Sequence, residues 1–159
     1  MDLLAACQWL EASPLGTAIR TSTWAFAVIE SVHLLALAVI GGSVLLVDLR
    51  MLGFGLREQR VRDVAGEAAP WFVGSLIVML VTGAGLFISE ATKCYYSQPF
   101  AVKMICLALS IVFAFTVRRK VTGAEEGRVR PLQYKLVALV SLALWFGVGA
   151  GGRWIGFSG

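Results

Sequence analysis

The sequence predicts an all-α integral membrane protein, a four-helix bundle preceded by a short N-terminal interfacial helix. Three observations carry that prediction. Of 159 residues, 58% are hydrophobic and only 15% charged, where a soluble domain carries about 25% charged residues. The charge deficit is concentrated in four apolar runs, each long enough for a hydrocarbon core of about 30 Å. Ten of the fourteen Lys and Arg residues gather in the segments that follow the first and third runs. Within lipid the backbone must satisfy its own hydrogen bonds, and no alternating pattern suggests a barrel, so the runs are helices. A single transmembrane domain, 1–159, is expected, with no linker, low-complexity segment or internal repeat.

Residues 2–12 (DLLAACQWLEA) place Leu3, Leu4, Cys7 and Leu10 at helical spacing beside Trp9, as in a helix lying on the outer surface. The SPLG at Ser13–Gly16 should break it. No basic n-region or small-residue cleavage site marks a signal peptide. The first span is expected at about 23–47. The second, about 69–89, opens with Pro70, a residue favoured at a helix start. The third, about 99–117, opens with Pro99, and the fourth, about 132–157, follows Pro131. Trp24, Tyr95, Tyr96 and Trp154 fit an outer aromatic belt, and Trp71 an inner one.

Arg50, Arg57, Arg60 and Arg62 follow span one; Arg118, Arg119, Lys120, Arg128, Arg130 and Lys135 lie between spans three and four. The positive-inside rule makes that face cytoplasmic and puts both termini and the Glu90–Gln98 loop outside. The expected location is a bacterial inner (plasma) membrane, multi-pass, with periplasmic or extracellular termini. The net charge of +4 is then a topology signal, and nucleic acid is not an expected partner.

The only histidine, His33, lies one turn after Glu30 inside span one. Ionisable groups at that depth are costly and mark candidate functional sites. On this topology Glu30 lies about 10 Å and His33 about 15 Å below the outer start of the span. Lys103, Glu90, Arg153 and Arg20 fall on the same side, so six ionisable residues should converge on the outer half of the bundle. Phe26, Glu30, His33, Leu37, Gly41, Val44 and Asp48 recur every three or four residues and should form the inward stripe. Ser75, Thr82 and Ser89 give span two a weak polar stripe. Either Glu30 and His33 face Lys103, Arg153 or Arg20 across an outward-opening cavity, or they form a structural ion pair that sets helix register. Asp48 and Arg50 end span one, where Asp48 can pair with a basic loop residue.

Several chemistries fit these residues. One histidine excludes a bis-histidine haem b within a protomer; Met79 or Met104 offers a second axial ligand, Met104 at the better depth. Copper would use His33, Met104 and Cys106, although Met104 and Cys106 do not share a helix face. A quinone or lipid headgroup would use the outer His, Glu and Arg groups. Cys7 and Cys94 should share the outer face, where a disulfide is one outcome and two thiols the other. Gly147 with Gly151, and Gly152 with Gly156, have small-xxx-small spacing for close helix contact within the bundle or between protomers.

The stretches WLEASPLGTAIRTS, ESVHLLALA, DLRMLGFG, PWFVGS, TGAGLF, PFAVKM and GRWIGF run the length of the chain. In them it resembles an uncharacterised bacterial family of small four-helix inner-membrane proteins, a domain of unknown function. That resemblance implies no activity, and points by motif to Arg20, Glu30, His33, Asp48, Arg50, Lys103 and Arg153. In size and span count it is loosely similar to copper-resistance and cytochrome b-type membrane proteins. The leading expectation is a small membrane subunit, redox-associated and without catalysis of its own. It would bind a cofactor, quinone, lipid or partner subunit through its outer polar cluster, alone, as a homo-oligomer or in a larger complex. A self-contained haem b or copper electron-transfer protein and a proton-coupled carrier or channel are the alternatives.

Overall fold

The computed structural model describes residues 3–56, 58–125 and 129–155. Helices run as α1 (Leu3–Glu11), α2 (Pro14–Thr21), α3 (Ala25–Leu52), α4 (Val61–Ser89), α5 (Ala91–Tyr96), α6 (Gln98–Phe113), α7 (Arg119–Thr122) and α8 (Pro131–Ile155), with a π-helical turn at Ala114–Arg118 joining α6 to α7. Among the described residues there is no strand. Four segments are long and apolar enough to cross a membrane: α3, α4, Gln98–Thr122 and α8. The chain is a multi-pass membrane protein.

The boundaries differ from expectation where local chemistry extends a helix. The SPLG segment does end α1, but it also starts α2, because Ser13 caps the new helix through the Gly16 amide and Pro14 takes its first turn. Pro70 does not open span two. It lies inside α4, which begins nine residues earlier at Val61. Residues 61–69 are helix-compatible, and the helix carried through Pro70 loses the hydrogen bond of the missing N–H and must ease the ring past the Gly66 carbonyl. The expected outer loop likewise holds α5, and Ser97 caps α6 through Phe100.

α3 packs along α4 and α8, and α6 packs along α8. Among the described residues, no Cα of α4 comes within 8 Å of one in α6. Aromatic side chains reach across that gap: Phe87 stacks on Phe100 with centroids 5.6 Å apart, and Phe72 meets Phe115 at 6.1 Å. One core cluster joins Ala36, Ile40 and Val44 of α3 to Leu76 and Met79 of α4, Leu107 of α6, and Trp145 and Val148 of α8. A second, at the basic end, joins Val47 and Met51 to Val64, Ala68, Val137 and Ala138. Long apolar side chains elsewhere on all four spans face outward, as a lipid solvent permits.

The span-four glycines act within the bundle. A Cβ on Gly147 would stand 2.9 Å from Cys106 Sγ, and one on Gly151 would stand 3.1 Å from Lys103 Cβ. Bare backbone at these two positions lets α6 lie close against α8. Gly156 is outside the described residues.

Candidate functional site in the membrane-embedded core

The inward face of α3 is formed by His33, Ala36, Ile40, Val44, Val47, Asp48 and Met51. This is the predicted stripe rotated about its middle: His33, Val44 and Asp48 remain, while Gly41 and Glu30 are exposed. Ile29, with Ile19 of α2, meets α4 at Gly85 in the place expected of Glu30. Ile29 and Ile19 fill that three-helix junction, and Glu30 lies on the exposed face of α3. Among the described residues Glu30 has no hydrogen bond or ion pair.

His33 is held from α4. Its ring lies over Gly83, where a Cβ would come within 3.1 Å of Cε1. Its Nδ1 is 3.0 Å from Thr82 Oγ1. The Thr82 hydroxyl has one proton and donates it to the Val78 carbonyl at 2.7 Å. In that arrangement Oγ1 accepts from the Nδ1–H tautomer of His33, which leaves the lone pair on Nε2; a hydroxyl turned to the ring donates to Nδ1 instead. The Met79 carbonyl also lies beside the ring. Orienting one ring nitrogen so that the other is presented as a base or ligand is the usual arrangement of functional imidazoles.

Lys103 is the cation brought toward this histidine. Its stem lies on α8 at Gly151, and its Nζ would be 3.5 Å from a Cβ on Gly152. Its charge is within electrostatic reach of His33. The other expected members are elsewhere. Arg20 donates to Glu11 at 2.6 Å, and Glu11 also accepts from the Thr92 amide at 3.0 Å, so these residues tie α1, α2 and α5 together. Glu11 is held below the usual carboxylate range by the Thr92 hydroxyl and amide and then by Arg20, against its desolvation. Arg153 is exposed near the end of α8. Met104 is 44% exposed on the outside of α6, whereas His33 is 8% exposed, so the structure does not bring these two together as a ligand pair. Met79 is buried in the core beside the histidine's helix. Among the described residues, no three His, Cys, Asp or Glu side chains are grouped to hold a metal.

A second polar node lies near the basic end. Asp48, fully buried, accepts from Arg118 Nε at 3.1 Å. A second Arg118 nitrogen reaches the Val44 carbonyl at 3.5 Å. Arg118 closes the π-helical turn, a wider turn often found where a helix repositions a side chain for a specific contact. Ser141 of α8 stands beside the carboxylate, yet Asp48 Oδ2 and Ser141 Oγ, both buried, have no hydrogen-bond partner among the described residues. The pairing of Asp48 with a basic residue was readable from sequence. The π turn and Ser141 carried no signal there, because both depend on how α6 and α8 pack. Arg50 donates to the Gln59 carbonyl at 2.7 Å and closes the loop after α3; Arg57 and Arg128 lie outside the described residues.

At the end of the bundle opposite the basic segments, Cys7 and Cys94 are free thiols. Each is within electrostatic reach of the other, and burial first, then Glu90, pushes the Cys94 thiol up to about 11.

Residues 6–158 match the model of a family of unknown function, DUF6644. The chain belongs to the DUF6644 family. No curated protein and no solved structure matches it. Family membership thus brings no activity to this member, and its function has to be argued from the two polar nodes.

Proposed function

We propose that this DUF6644 member is a small membrane-embedded binding subunit, without catalysis of its own, whose ligand is a quinone or quinol headgroup held at His33 and Lys103. The observation that carries the reading is the imidazole held at 3.0 Å from Thr82 Oγ1: in the tautomer that donates Nδ1–H to that oxygen, Nε2 offers a lone pair within electrostatic reach of a lysine ammonium. A quinol hydroxyl donates to such a nitrogen, and a quinone oxygen accepts from such an ammonium. Hydrogen bonds of this kind are worth most where water is scarce. Under the positive-inside rule the basic end is cytoplasmic in a bacterial inner membrane, both termini are outside, and this node lies in the outer leaflet.

The test is titration of the detergent-purified protein with a short-chain benzoquinone and its quinol, followed by Trp fluorescence. Saturable binding that weakens about tenfold or more in His33→Phe and in Lys103→Met, but not in Glu30→Gln, supports the proposal. Binding no different from partition into empty micelles, or equal in all variants, overturns it.

The self-contained redox reading remains the alternative for the same node. Its readout is an oxidised and dithionite-reduced visible spectrum with metal analysis. A reducible Soret band or stoichiometric copper that disappears in His33→Ala would replace the quinone proposal with that one.

A further inference from the structure

We propose that the gap between α4 and the α6–α7 segment, at the basic end of the bundle, is a binding site for one anionic phospholipid, with an acyl chain in the gap and the phosphate at its mouth.

The gap exists because α4 and α6 keep their backbones apart along their whole length. Toward the basic end, where α7 comes back against α4, it holds a cavity of about 300 Å³ whose wall includes Val47, Ala68, Phe72, Val73 and Phe115. Its walls are mainly apolar, with Ser43, Thr122, Arg118 and Arg119 as the polar members, and no atoms of this chain fill it. Lipid chains are the solvent at that depth, and packing against them recovers the dispersion contacts the walls would otherwise lack.

The mouth has the opposite character. Phe115 and Arg119 line both the apolar cavity and an open depression of about 710 Å³, whose wall also holds Arg62, Lys120 and Glu125. Arg62, Arg119 and Lys120 are exposed, and among the described residues Glu125 is the one acidic residue on that wall. Arg118, also on the cavity wall, has its charge matched by Asp48. The mouth therefore carries a surplus of positive charge, set one side chain away from an apolar slot. An anionic headgroup with an attached chain matches both halves. A free anion leaves the slot unfilled, and a zwitterionic lipid leaves the charge unmatched. Basic pockets between membrane helices on the cytoplasmic side are where anionic lipids are recognised, and the basic loops here face that leaflet under the positive-inside rule.

The full chain, in detergent, would be loaded with phosphatidylglycerol or phosphatidylcholine of the same chain length and examined by native mass spectrometry. Selective retention of phosphatidylglycerol is expected, weakened about fivefold each by Arg119→Gln and Lys120→Gln. Val73→Trp should weaken it too, by filling the slot while leaving the charges in place. Far-UV circular dichroism and melting of each variant confirm that it is folded. Equal retention of the two lipids, or retention unchanged in the folded charge variants, overturns the proposal. So does displacement of the lipid by inorganic phosphate at equal concentration, which would assign the anion to the neighbouring cavity of about 430 Å³ lined by Arg50, Arg60, Arg62 and Lys135.

Discussion

Arg118 Nε meets Asp48 Oδ1 at 3.1 Å, joining the end of the third span to the end of the first across 70 positions of sequence. The carboxylate is fully buried and the guanidinium nearly so. Removing one partner from such a pair leaves the other as an uncompensated charge, whereas the pair itself adds little net stability. Asp48→Ala and Arg118→Ala should each lower stability by about 3–5 kcal/mol, read as loss of the thermal transition in detergent. The double substitution should cost less than the sum. Ser141→Ala, which removes a hydroxyl with no partner, should change stability by less than about 0.5 kcal/mol or raise it. Additive single and double costs would show that the two residues do not act as a pair.

Close contact of α6 and α8 depends on Gly147, whose added Cβ would stand 2.9 Å from Cys106 Sγ. Gly147→Ala should destabilise by about 1–3 kcal/mol through overpacking. Cys106→Ala removes the obstructing sulfur, so the double variant should recover much of that loss. A double-mutant cycle by thermal melting checks this. No recovery would mean that the strain is relieved elsewhere.

Thr82 acts on the candidate site through His33, as a positioning residue. Thr82→Val keeps the shape and removes the acceptor for Nδ1–H. The share of Nδ1-protonated ring should fall, seen in the imidazole ¹⁵N shifts of labelled protein. Quinone binding should weaken less than in His33→Phe. An unchanged ¹⁵N pattern would show that Thr82 does not set the tautomer.

Between α1, α2 and α5, Glu11 is held below its usual range by Thr92 and Arg20. A lowered folded value means stability that is present above the ordinary glutamate range and lost as pH falls through the folded value. Protection factors in α1 and at Thr92, corrected for the intrinsic pH dependence of amide exchange, should therefore fall on acidification before those of the spans. Glu11→Gln should abolish that pH dependence. Equal acid response in the variant would assign it to another group.

Cys94 should be a slow nucleophile. With its thiol pushed up to about 11 from 9.0, its thiolate fraction near pH 8 is about a hundredfold below that of an ordinary thiol, and alkylation follows the thiolate. Iodoacetamide labelling, followed by peptide mass spectrometry, should rise continuously to about pH 11. A plateau near pH 9 would contradict the burial argument.

Helix class, span number and the clustering of basic residues were legible in the sequence, because each follows from composition and from lipid's inability to hydrogen-bond a backbone. So was the place of His33 as an ionisable group on the buried face of a span. The composition of its site was not. A helical stripe has an angular width that admits either Glu30 or Ile29 beside His33, and only the approach of α2 and α4 at Gly85 selected the isoleucine. Pro70 read as a helix start because proline favours one, yet the nine residues before it continue α4. The same holds for the far end. The sequence offered Asp48 many basic partners, and the π turn that carries Arg118 against it arises from the packing of α6 on α8. Sequence by itself determined that this chain carries four helices long and apolar enough to cross a membrane, since that depends on residues summed along the chain. Tertiary structure alone decided which charges meet, since that depends on a few degrees of rotation about each helix axis, where one buried contact outweighs periodicity.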